Sequence, residues 1–302
     1  MSVNMFDLPI TEMIIFLSVI VLYFLAAIMG VLQISSGDGK YRGILTHFIS
    51  LGLVMEAILL LLRAVELQAV PLTGLFESMI VLTMVFGVTY LVLGMGIRQV
   101  WFSSAVTWVI FVLIVLTAVI ARPAVEAMEV ARKPWVYAHA LAMILGGSMI
   151  VLAAVTAYVY LLSRSRLKHK KIKKVLGKVP NFQKLERINL FGLKAAFILF
   201  TIGLISGVAG TWSATASLGQ KPFEWLIDSK ILGVVIVWLL LLVVLTVWQL
   251  RRIKGKTIAL VTLFTFIWVV FTFVGTAILC KTKHDFTRSS QTQKDIIPEQ
   301  KK

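Results

Sequence analysis

Eight runs of mostly apolar residues, near positions 13–33, 43–63, 75–96, 105–121, 136–162, 188–209, 229–250 and 257–279, leave this chain few ways to fold. Most approach or exceed the roughly 20 residues that a helix needs to cross about 30 Å of hydrocarbon. The runs are continuous, whereas barrel strands would alternate over about ten residues. Backbone groups in lipid must also find partners within their own segment. The sequence therefore predicts an all-α, polytopic membrane protein with eight transmembrane helices. A mean hydropathy of +0.93 and a charged fraction of 15% lie outside the soluble globular range. The opening "MSVNMFDLPITEM" carries Asp7 and Glu12 but no Lys or Arg, and a full-length run follows. The first helix is thus expected to remain as a span rather than to be cleaved as a signal peptide.

The net charge is +16, and its distribution matters more than its size. The loops after runs one, three, five and seven hold 17 Lys and Arg, while the alternate loops hold 6, counting Arg63, Arg122, Arg132, Lys133, Lys221 and Lys230. The positive-inside rule then puts both termini outside a cell (inner) membrane. Six basic residues in the C-terminal tail oppose this only weakly. The run "RSRLKHKKIKKVLGKVPNFQKLER" reads as an inner loop facing anionic lipid. No aromatic-interleaved patch or soluble domain accompanies it, which argues against a nucleic-acid partner. The single cysteine, Cys280, permits no internal disulfide and no thiol–disulfide relay within the chain. The expected organisation is one transmembrane domain over 1–280, with an outer tryptophan-rich loop at 210–230 and a basic inner loop at 163–187. A polar tail follows at 281–302.

Ionisable residues inside the runs are candidates for function, because they usually face a bundle interior or a cavity. His47 and Glu56 are nine residues apart, about 2.5 turns, so they point to opposite faces and do not form one site. Lys194 reads most simply as a snorkelling or paired lysine. In "PLTGLFESM", Thr73 suits an N-cap and Glu77 the positive end of the helix dipole, so capping explains both as well as function does. His139 and His284 come from distant parts of the chain to the same membrane face. They can share a metal or haem iron through neutral ring nitrogens, or they are interfacial histidines with nothing in common. His169 reads as a solvated loop residue. Gly203, Gly207 and Gly210 permit close helix approach before "GTWSATASLGQKPFEWLIDSK". The Trp, Asp and Lys of that segment are either an interfacial belt or a platform for a large planar anion such as haem.

"PLTGLFES", "AHALAMILGGSMIVLAAVTAYVYLL" and "NFQKLERINLFGLKAAFILFTIGLISG", in that order, resemble the cytochrome c assembly proteins of the CcsA type, with HemX-like proteins as close relatives. Gly74 stands where that family usually has Asn. The family's tryptophan-rich motif, approximately WGxYWxWDPKETWxLITW, is degenerate here. Aligned on Asp228, it keeps Trp225, Lys230 and Trp238. Ile227, Ser229, Ile231, Leu232 and Gly233 replace its Trp, Pro, Glu, Thr and Trp, and Trp212 falls one residue out of register with an upstream Trp. The family's membrane histidine after the motif falls near Thr246 and is absent, and His47 is only a weak match. The resemblance implies that His139 and His284 are axial ligands to haem b, with Trp212, Trp225, Asp228, Lys230, Trp238 and Glu77 around it. It implies haem offered at the outer face to apocytochrome c, with a CcsB/ResB-like membrane partner, as part of a cytochrome c haem lyase (synthase) complex. Two alternatives stay open: a HemX-like regulatory or scaffolding protein that does not ligate haem, and a transporter of haem or another solute.

Overall fold

Hydropathy dictates where the helices form. In a computed structural model, which describes residues 8–36, 39–72, 74–96, 100–121, 123, 126–127, 133–168, 181–218, 228–250, 253, 255–275 and 287–288, the helices follow the apolar runs. They are α1 (Ile10–Ser36), α2 (Arg42–Leu67), α3 (Leu75–Gly96), α4 (Val100–Ile120), α5 (Pro134–Lys168), α6 (Phe182–Leu218), α7 (Ser229–Gln249) and α8 (Lys256–Val270). Among the described residues eight helices are long and apolar enough to cross a membrane, and the chain is an all-α, multi-pass membrane protein. A single π turn, Phe271–Gly275, continues α8. The sole sheet among the described residues is the antiparallel pair β1 (Glu126–Ala127) with β2 (Thr287–Arg288).

Several helices outrun their apolar stretches. Residues 210–218 of the expected outer loop are helical, as are 163–168 and 182–187 of the expected inner loop. Hydropathy marks where lipid ends, whereas a helix continues for as long as its own backbone bonds do. The remaining parts of those loops, 219–227 and 169–180, lie outside the described residues.

The chain divides into two compact units, Met1–Tyr137 with Phe286–Lys302, and Ala138–Asp285. In the first unit, Arg42, Thr46, Ile49, Leu53, Glu56, Leu60 and Arg63 fall at alternating steps of four and three, one stripe along α2. Polar members of the stripe meet α1 and α3 in antiparallel order. An Arg42 Nη2 donates to the Gly94 carbonyl, and the Thr46 and Tyr90 hydroxyls pair at 2.9 Å. Fully buried Glu56 accepts from Tyr23 at 2.8 Å and from the Thr83 hydroxyl. A side chain at Gly52 would overlap the Tyr23 ring, so glycine lets α1 come close enough for the tyrosine to reach Glu56.

Arg63 corrects the loop count. It is a buried residue near the C-terminal end of α2, with Nη2 2.7 Å from Glu77, Nη1 2.9 Å from Glu66 and Nη1 3.5 Å from Glu12. Desolvating a guanidinium costs several kcal/mol unless carboxylates surround it, and here three do. Removing Arg63 from the loops leaves the orientation bias stronger.

In the second unit, α5 and α6 run antiparallel through small-residue contacts. Gly146 admits Phe200, Gly203 admits Met143, and Gly192 meets the Met149 carbonyl and Ala153. Asn189 donates to the Ala153 carbonyl at 2.9 Å and accepts from Thr262 at 3.2 Å, tying α5, α6 and α8 together. Gly233 faces Thr272 of the π turn, where an added Cβ would lie 2.6 Å from the threonine methyl.

Candidate functional site

The site grows from the start of α5. Pro134 occupies the first helical position, where its missing N–H costs nothing and its fixed φ suits the helix. The second turn then turns His139 toward α6. There Gly203 and Gly207, one turn apart, leave a notch. A Cβ at Gly207 would lie 2.8 Å from His139 Nδ1, so only glycine makes room for the ring. His139 Nδ1 lies 2.7 Å from the Gly203 carbonyl. A carbonyl can only accept, so Nδ1 carries the hydrogen and Nε2 of the neutral ring keeps its lone pair. The same carbonyl accepts from Ser206 Oγ at 3.1 Å. Fixing one imidazole nitrogen on a backbone carbonyl sets which nitrogen can bind a metal, a familiar arrangement for ligating histidines.

Lys230, in the first turn of α7, lies within electrostatic range of His139. Asp228 precedes it as the N-cap of α7, its carboxylate accepting the Lys230 backbone N–H at 2.9 Å. That bond satisfies one of the orphan N–H groups at the helix start. Trp238 packs deeper. Its indole N–H donates to Thr201 at 2.8 Å, and its ring stacks on Phe197 at 5.5 Å with 21° between planes. Thr201 and Gly203 are two residues apart, about 200° around α6, so Trp238 and His139 take opposite faces of that helix. Trp212, on α6 rather than in a loop, is 77% exposed.

Glu77 belongs to the other unit, fully buried and bound to Arg63 through Oε1 at 3.0 Å from Nε and 2.7 Å from Nη2. His284 and Trp225, like His169, Thr73 and Cys280, lie outside the described residues. His47 faces outward on α2, with Nδ1 2.7 Å from the Gly43 carbonyl. Sequence reasoning did not foresee the Gly203 carbonyl as a partner of His139, or the Arg63 cluster. A signal for the first was present in the four-residue spacing of Gly203 and Gly207, and for the second in an arginine within an apolar run.

Among the described residues no three His, Cys, Asp or Glu side chains converge as a metal cage. A porphyrin brings its own four nitrogens and asks the protein only for axial ligands, which suits a single oriented imidazole. Residues 72–284 match the family model described as cytochrome c assembly protein. The chain belongs to that family. The match runs from the start of α3 past the end of α8 and includes His139, Asp228, Lys230 and Trp238. Membership assigns this multi-pass membrane protein a role in c-type cytochrome biogenesis. Comparison with curated proteins finds no match.

Proposed function

We propose that this member of the family holds haem at the outer membrane face for attachment to apocytochrome c, beside a CcsB/ResB-like partner. His139 supplies one axial nitrogen, Nε2, and His284 the other. Trp225 stacks against the ring, and Lys230 or Lys221 pairs with a propionate as a point charge. The observation that carries this reading is the Nδ1–H to Gly203 carbonyl bond, which orients a neutral imidazole for ligation. Haem is the cargo in this scheme, and the chain's own work is to hold and orient it. The test is optical: full-length protein purified from membranes with ample haem should carry a Soret band that His139→Ala removes or shifts. A haem-free wild type would end the proposal.

A second reading has support from two of the same residues. Asp228 caps α7 and Trp238 packs against α6, so both have structural reasons to persist without a ligand. With the degenerate motif around them, they also suit a HemX-like scaffolding protein that binds no haem. Haem content of the purified protein separates the two.

A further inference from the structure

Away from the notch of His139, α6 and α7 border an open groove of about 290 Å³ lined by Phe197, Leu242, Leu245, Thr246, Gln249 and Leu250. Its lining is graded. Phe197, Leu242 and Leu245 line its apolar length, with Leu242 exposed, and Thr246, Gln249 and Leu250 stand toward the end of α7. Lys194, one turn before Phe197 on α6, does not line the groove but stands beyond that end. Its ammonium sits 4.5 Å from the centroid of the Trp248 ring, next to Gln249. A cation over an indole face is attracted by the ring quadrupole, which favours this position for the exposed lysine. No carboxylate among the described residues forms an ion pair with it. Arg251, Arg252 and Lys254 follow α7 in the sequence, on the side that the charge distribution assigns to the inside.

We infer that this groove binds one anionic phospholipid of the inner leaflet, its acyl chain along Phe197, Leu242 and Leu245 and its phosphate at Lys194. The apolar slot matches an alkyl chain, and the uncompensated cation at the interface end matches a phosphate at headgroup depth. A neutral lipid fits the slot equally well but leaves Lys194 without a counter-charge. The site is independent of the haem proposal, because the groove lies on the α7 side of α6 whereas His139 packs on the opposite face.

The experiment titrates full-length protein in neutral detergent with phosphatidylglycerol, phosphatidylcholine of the same chain length, and inorganic phosphate, following thermal unfolding. Phosphatidylglycerol should stabilise at clearly lower concentration than phosphatidylcholine, and phosphate alone should do nothing. Lys194→Gln keeps the stem but not the charge and should weaken the phosphatidylglycerol response about fivefold, leaving phosphatidylcholine unchanged. Leu242→Trp fills the slot and should weaken both lipids, while Lys194→Arg should behave as wild type. Equal responses of the wild type to the two lipids would overturn the inference. So would an unaltered preference in Lys194→Gln, or full stabilisation by phosphate alone. If Lys194→Gln does not fold, the wild-type comparison together with Lys194→Arg decides.

Discussion

One hydrogen bond fixes the orientation of the His139 ring. The Gly203 carbonyl fixes Nδ1 as the donor, and Gly207 has no side chain to crowd the ring. Gly207→Ala should therefore displace the imidazole without deleting it and lower haem affinity about tenfold or more, as loss of an orienting partner does. Gly147→Ala, which meets open space, should have no such effect. Both are read by haem titration of the purified protein. Arg63 gives a second test at this scale. Arg63→Met leaves Glu12 and Glu77 buried without their cation and should cost about 3–5 kcal/mol, seen as a lowered unfolding midpoint. Glu77→Gln should also destabilise, but haem bound per folded molecule should hold steady, because Glu77 answers to Arg63. A loss of haem at unchanged stability would instead make Glu77 a contact of the cofactor. Pattern made His139 visible in the sequence, a histidine just inside an aromatic-flanked helix start. Its partner, a backbone carbonyl with no residue type of its own, left a trace only in the four-residue spacing of Gly203 and Gly207.

The helices were largely legible, since about 20 apolar residues in lipid have little alternative to an α-helix. Their ends were not. The 210–230 segment reads as loop by its polar and aromatic content, yet α6 continues to Leu218 and α7 begins at Ser229. Asp228 shows the same gap between motif and element. Aligned on a family motif it reads as part of a haem platform, and in the fold its carboxylate caps α7. Asp228→Ala should cost about 0.5–2 kcal/mol through the lost cap, whereas Asp228→Ser should keep most of it. Thermal unfolding of the two variants checks this. If both lose haem alike while stability holds, the carboxylate works at the ligand and not at the helix.

At the scale of the whole molecule, loop charge predicts the orientation, and the burial of Arg63 removes the sole basic residue counted between the second and third runs. Reporter fusions after Lys178 and after Gln220 should report opposite sides, inside and outside respectively. The same side for both would overturn the topology and move His139 to the inner face. Family membership fixes the process, c-type cytochrome biogenesis, and leaves the ligand as the deciding question. The most direct measurement is the electronic absorption spectrum of full-length protein purified with haem in excess, in the wild type, His139→Ala and His284→Ala. The wild type should show a six-coordinate low-spin haem. Each histidine variant should lose or convert it and partly regain it with added imidazole, while His169→Ala leaves it alone. An unchanged low-spin spectrum in both histidine variants, or no haem in the wild type, would contradict ligation by these residues.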